Sequence, residues 1–168
     1  MSPLVAAVSG YGTVDATVAG VVAVDVPAAA WVDALLAVRS AGGEYLDFVG
    51  AADLGDERLQ VVAHLLGVED GESVLVRTTV ARGEPLASAG SVWAGATWHE
   101  REITDLFGIE FSGSSDDRPL LVDRTGAPPL LKSSLLAARQ AVDWPGSFDP
   151  ADKPGAKKRL PPGVEVIA

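Results

Sequence analysis

The densest group of side chains able to do chemistry falls in one short segment: His99, Glu100, Arg101, Glu102 and Asp105. On a helix, Glu102 and Asp105 lie one turn apart and could serve as paired carboxylates for proton transfer. Arg101 and Asp105, four apart, offer instead an ion pair on a surface or interface, the simpler reading of the helix by itself. His99-Glu100 begins like an HExxH zinc motif, but Ile103 stands where the second histidine is needed. The other histidine, His64, sits mid-strand between Ala63 and Leu65, the setting of a structural residue rather than a ligand. The chain has no cysteine, which removes disulfides, thiolate zinc sites, iron–sulfur ligation and a cysteine nucleophile together. No glycine-rich phosphate loop follows a strand, and no GxSxG elbow presents a serine.

The elements that must position these residues are legible in part. Thr97-Trp98-His99-Glu100 reads as a capping box, with Thr97 and Glu100 each satisfying the other's free amide, and the helix it opens runs to about Phe107 before Gly108. Upstream, the valine-rich run Thr17 to Val26 reads as one strand. After Pro27, Trp31, Leu35 and Val38 recur at helical spacing until Gly42 and Gly43. Three strands follow, Tyr45 to Val49, Arg58 to Leu66 and Ser73 to Ala81, the last two joined through Asp70-Gly71, a pair suited to a tight hairpin. In the middle strand Leu59, Val61, Ala63 and Leu65 share one face, and Gln60, Val62, His64 and Leu66 the other. The first dozen residues give no usable period, residues 82–95 read as a loop, and so does most of 109–129. The expected fold is α+β: a mainly antiparallel sheet, built from one strand, a helix and a three-stranded meander, with helices on one face and an extended C-terminal tail.

Charge divides the chain. Of 168 residues with net charge -10, residues 1–131 hold 19 acidic and 7 basic side chains, and residues 132–168 hold 4 and 6, including every lysine. The division predicts an acidic globular domain over 1–126 and a basic, proline-rich segment over 127–168. That segment, with a short helical stretch around Ser133 to Ala141 and then Trp144, Phe148 and Leu160 among prolines, cannot build its own core. Its aromatic residues are of the kind that anchor interfaces, so it is expected to drape over a partner. The acidic balance argues against nucleic acid as that partner. Apolar runs such as Val18 to Val24 stop at Asp25, well short of the roughly 20 residues of a membrane span, so no direct membrane insertion is expected. The start MSPLVAAVSGYG has no basic n-region, which makes the cytoplasm the expected compartment.

The stretch from Leu59 to Phe111 resembles the 30 kDa subunit family of the proton-pumping NADH-quinone oxidoreductase, complex I. The family pattern W-x-E-R-E-x-x-D-x-F-G-I-x-F-x-G is met at Trp98, Glu100, Arg101, Glu102, Asp105, Phe107, Gly108, Ile109, Phe111 and Gly113. With the upstream strands and helix the resemblance extends over roughly residues 17–123. Where the family continues with His-Pro-Asp-Leu-Arg-Arg, this chain has Ser114-Ser115-Asp116-Asp117-Arg118-Pro119. That departure leaves open a paralogue in a membrane-bound nickel–iron hydrogenase of group 4.

The resemblance implies a non-catalytic scaffold subunit of the hydrophilic arm, on the cytoplasmic side of the membrane and peripheral to it. It implies no flavin, metal or iron–sulfur cluster in this chain; iron–sulfur clusters and the quinone or nickel–iron site belong to partner subunits. Those partners are a large subunit (49 kDa-like or hydrogenase-large-like), a small iron–sulfur subunit and a ferredoxin-like subunit. The residues it points to as contacts between subunits are Trp98, Glu100, Arg101, Glu102, Asp105, Phe107, Phe111 and Arg118 in the body, and Trp144 and Phe148 in the tail. A stand-alone acid–base enzyme working through Glu102 and Asp105 is the competing expectation.

Overall fold

The computed structural model describes residues 2–69, 71–122 and 129–134. Its centre is a five-stranded sheet made of β1 (Thr13–Val18), β2 (Val21–Asp25), β3 (Tyr45–Gly55), β4 (Arg58–Leu66) and β5 (Ser73–Ala81), in the order β1-β2-β5-β4-β3. Within this sheet only the β2–β5 pair is parallel. Among the described residues three α-helices accompany it: α1 (Pro3–Ser9), α2 (Trp31–Ser40) and α3 (Ala96–Phe107). Two short strands, β6 (Leu86–Ala87) and β7 (Phe111–Ser112), pair in parallel and tie the segment before α3 to the segment after it. The α+β class and the antiparallel meander β3-β4-β5 are as the sequence predicts. No helix among the described residues is long and apolar enough to cross a membrane.

The alternation in β4 decides which face carries the helices. Leu59, Val61, Ala63 and Leu65 are all buried, and through the register they align with Val80, Thr78, Val76 and Val74 on β5, all buried too. Against this face lie Leu4 and Val8 of α1, Trp31 and Leu35 of α2, and Ile103 of α3, all in one apolar cluster. Each such side chain contributes about 1.5–3 kcal/mol of burial free energy, so this shared layer holds helices and sheet together.

Three expectations are corrected. The run Thr17 to Val26 is two strands rather than one, because Ala19 (φ 51°) and Gly20 (φ 87°) both take left-handed backbone and turn the chain into the β1–β2 hairpin. The first dozen residues contain α1: Pro3 opens it where a helix tolerates a missing N–H, and Leu4, Val5 and Val8 bury one side of two turns too short to show a period. The strand beginning at Tyr45 continues past Val49 to Gly55, since Val49, Ala51 and Asp53 remain paired with Ala63, Val61 and Leu59. Gly71 of the β4–β5 turn has the left-handed φ (69°) that the sequence implies; Asp70 lies outside the described residues.

Candidate functional site

Helix α3 starts two residues earlier than the capping box predicts, with Gly95 rather than Thr97 as its N-cap and no side-chain cap. Thr97 is therefore already inside the helix, and Glu100 faces inward, where a buried partner outcompetes the helix amide. The carboxylate, 1% exposed, receives the N–H of Ala89 at 2.6 Å and the hydroxyl of Ser88 at 2.7 Å. The Ser88 hydroxyl oxygen in turn accepts the N–H of Gly90 at 3.0 Å. Glu100 thus terminates the tight turn Ala89–Ser91 that leads into the helix. Gly90 is required there, because a Cβ would lie 2.9 Å from the Thr97 hydroxyl and 3.0 Å from that of Ser88. Burial pushes the Glu100 carboxyl above its ordinary value, and the bonds from Ser88, Ala89 and Gly90 act in the opposite direction.

Arg101 and Asp105 share the next stripe of the helix, as their spacing requires, but they do not form the expected ion pair with each other. They grip the same loop instead. Arg101 donates to the carbonyls of Arg118 (2.7 Å) and Pro119 (3.1 Å) and pairs with Asp116 at 3.0 Å. Asp105 Oδ2 accepts the consecutive N–H groups of Leu120, Leu121 and Val122 at 2.8, 2.6 and 3.2 Å. Two side chains one turn apart therefore hold five successive backbone groups of residues 118–122. The guanidinium reads carbonyls and the carboxylate reads amides, which is why one cation and one anion are both needed.

Asp116 completes the grip. It accepts the backbone N–H of Arg118 at 3.1 Å, and the Arg118 side chain binds both of its oxygens at 2.8 and 2.7 Å. The Arg118 hydrogen bonds, with the Arg101 charge adding to them, hold its carboxyl well below the usual carboxylate range. A cavity of about 390 Å³ lies under the loop, lined in part by Arg101, Asp105, Glu110, Asp116 and Arg118. Glu102 does not line it, so the paired-carboxylate geometry for acid–base work is not assembled there. Among the described residues no three His, Asp or Glu side chains gather to hold a metal.

The third stripe faces outward. Trp98 is 62% exposed, with Arg101 stacked on its ring at 5.1 Å, and Glu102 lies one turn further along, also exposed. Phe107 and Phe111 are half-buried against the chain's own core. The helix ends at Gly108, whose φ of 75° closes it, and beyond the loop Pro129 packs on that glycine. From there Leu130 donates to the Leu106 carbonyl, Leu131 is buried, and the Lys132 N–H binds Asp53 on β3 at 2.7 Å. Trp144 and Phe148 lie outside the described residues. Ser88, Asp116 and Asp53 are the structural partners that sequence reasoning missed. The only signal for Ser88 was its place in a run of small residues just before the helix, and Asp116 was visible only as a departure from the family pattern.

The sequence and the fold are similar to those of other proteins. The family model for the respiratory-chain NADH dehydrogenase 30 Kd subunit matches residues 24–140, well over half the chain. An NADH-quinone oxidoreductase subunit of Vesicomyosocius okutanii is 42% identical over 82 residues, 47% of this chain and 40% of the relative. A longer NADH-quinone oxidoreductase subunit of Phocaeicola vulgatus is 36% identical over 112 residues, 62% of this chain and 21% of that one. The matches thus span 40% or less of these curated relatives. Among solved structures, the trypsin-resistant fragment (1-134) of Nqo5 superposes with a TM-score of 0.60 at 26% identity, covering 67% of this chain and 95% of the fragment. A chain of the membrane-bound sulfane sulfur reductase, an archaeal respiratory membrane complex, shares the fold with a TM-score of 0.63 at 22% identity, over 72% of this chain and 76% of that one. With the family model matching from residue 24 through β3, β4, β5 and α3 to residue 140, this chain belongs to the respiratory-chain NADH dehydrogenase 30 Kd subunit family.

Proposed function

We propose that this chain is a structural subunit in the hydrophilic arm of a complex I-like NADH-quinone oxidoreductase, carrying no redox centre of its own. Electron transfer from NADH to quinone then takes place in neighbours: a large subunit, a small iron–sulfur subunit and a ferredoxin-like subunit that hold the clusters and the quinone site. In this reading the subunit is peripheral, on the cytoplasmic side of the membrane. The observation that carries it is the use made of the family motif. Glu100, Arg101 and Asp105 are all engaged with this chain's own backbone, so the motif builds a rigid surface, and Trp98, Glu102 and Arg118 are what it presents. Rigid presentation of an aromatic anchor is what a docking face needs, because little ordering entropy remains to be lost. The segment 127–168, with Trp144 and Phe148, supplies a second contact in the same reading.

The departure at Ser114 to Pro119 favours a second reading, the equivalent scaffold of a membrane-bound group 4 nickel–iron hydrogenase. Its neighbours would hold a nickel–iron site in place of quinone.

Co-purification with an affinity-tagged large subunit tests the proposal. Trp98→Ala is expected to weaken assembly by about 2 kcal/mol, roughly thirtyfold, as loss of a central aromatic anchor does. The isolated variant should melt within about 2 °C of the parent, since Trp98 lies outside the core. Normal recovery of the variant in the complex, or a cofactor absorbance in the isolated chain, refutes the reading.

A further inference from the structure

Strand β5 outruns its parallel neighbour. Val26 still donates its N–H to the Arg77 carbonyl at 2.8 Å, but the paired register ends at Asp25 and Arg77, and Pro27 then leads the chain through the turn Ala28–Ala30 into α2. On its other side β5 stays paired with β4 as far as Ala81, so the stretch 78–81 has a neighbour on one side only. Main-chain groups alternate from side to side along a strand, and those of Arg77 point toward β2. Those of Thr79 and Ala81 therefore point the same way, into the place that β2 has left. The Glu84 N–H donates to the Ala81 carbonyl at 3.0 Å, whereas the N–H and C=O of Thr79 and the N–H of Ala81 meet no partner among the described residues. Both residues are exposed.

A cavity of about 410 Å³ opens at this point, bordered in part by Tyr11, Thr13, Val26, Pro27, Thr78 and Thr79. Thr78 is 2% exposed, and its hydroxyl, buried at the cavity's border, has no partner among the described residues. Tyr11, Val26 and Pro27 supply an apolar wall. Gly12 brings the chain that enters β1 tight against the end of β2, where a Cβ would lie 2.0 Å from the Asp25 carbonyl oxygen. The gap is thus a slot within the sheet rather than an outer edge, and it suits one extended segment better than the rim of another folded sheet.

We propose that β5 is completed by strand addition: an extended, uncharged segment of a neighbouring subunit enters beside Thr79 and Ala81 and carries the sheet on in line with β2. Two N–H donors flanking one C=O acceptor on a single strand edge are complementary to an extended main chain, and the Thr78 hydroxyl and the Tyr11 wall give its side chains a polar and an apolar contact. A neighbour is the source because this chain by itself leaves both Thr79 and Ala81 exposed. The inference rests on the assembly reading above and adds a contact that uses none of the α3 motif.

Amide hydrogen exchange, resolved to single residues, tests it in the isolated full chain and in the complex purified through the tagged large subunit. In the isolated chain Thr79 and Ala81 should exchange fast and Val80, whose N–H points to β4, slowly. In the complex Thr79 and Ala81 are expected to slow at least about tenfold with Val80 little changed. Thr79→Pro removes one outward donor and leaves the β4 ladder intact, and should lower recovery in the complex about fivefold, the loss of one hydrogen bond. If that variant melts well below the parent, exchange in the parent decides alone. The chain has no cysteine, so Thr79→Cys carries a single photo-cross-linker, which should label another subunit.

Unchanged exchange at Thr79 and Ala81 in an assembled complex, or slowing at only one of the two, overturns this inference and leaves the assembly reading standing. Protection already present in the isolated chain, or cross-links confined to this chain or to a second copy of it, overturns it as well. No co-purification at all overturns the assembly reading and this inference with it.

Discussion

Replacing Glu100 isolates the role assigned to the family motif. Glu100→Ala leaves the N–H of Ala89 and the hydroxyl of Ser88 without their partner at a site 1% exposed. Each stranded buried group costs about 1–3 kcal/mol, and the space left by the side chain adds a small cavity. Because the Ser88 hydroxyl can rotate, the lower half of that range applies to it, and the expected loss is about 3 kcal/mol. At a urea m-value of about 1.5 kcal/mol/M this is a shift of about 2 M in the midpoint of tryptophan-fluorescence unfolding. Glu100→Gln keeps the shape: its carbonyl accepts from Ala89 and its amide donates to the Ser88 oxygen, so the cost at neutral pH should stay below about 1 kcal/mol.

The pH dependence separates a buried carboxylate from a surface one. Burial raises the folded-state value above the ordinary 4.5. Between that ordinary value and the raised one, the folded state binds more protons than the unfolded state, so this group's contribution to stability falls as pH rises through the window. Glu100→Gln has no such loss. The stability difference between parent and variant should therefore move in the variant's favour as pH rises from about 4.5, the unperturbed starting point. An alanine cost below about 1 kcal/mol, or a parent-to-glutamine difference that is flat or of opposite slope across that range, would refute the argument that Glu100 serves the inside of the chain.

Two further predictions concern the clamp and its closing glycine. Asp105→Ala should speed hydrogen exchange at the amides of Leu120, Leu121 and Val122 at least tenfold while sparing the interior of α3, since each amide loses a charge-assisted acceptor; unchanged protection would show the loop is held some other way. Gly108→Ala combines left-handed backbone with a Cβ 2.7 Å from Pro129 Cγ and should cost more than about 1 kcal/mol, a fall of about 3 °C in thermal unfolding. Adding Pro129→Ala should recover part of that loss, and a melting temperature unchanged by Gly108→Ala would contradict the close contact.

What the residue pattern carries well is whatever depends on local periodicity. The two faces of β4, the ends of β4 and β5, and the stop of α3 at Gly108 follow from side-chain alternation and from backbone that only certain residues accept, and the structure places them where the pattern does. The same reasoning failed at the β1–β2 turn. Ala19 adopts left-handed backbone there beside Gly20, and an alanine carries no sequence signal for such a conformation. It failed also at the start of α3, where a motif with the right spelling for a capping box puts its glutamate to a different use.

The sequence by itself determined the composition of the site: no thiol for redox chemistry, an acidic body with a basic end, and a motif dense enough to mark the family. Only the tertiary structure decided what the motif's charges do. Arg101 and Asp105 are four apart on one helix and could pair, yet each meets denser partners in residues 116–122, a loop whose path local pattern does not encode. A charged side chain near a protein interior goes to the arrangement that satisfies the most hydrogen-bonding groups, and that arrangement depends on which distant backbone arrives beside it. The same rule turns Glu100 toward Ser88 and Ala89, and leaves Trp98 and Glu102 as the part of the motif that faces outward.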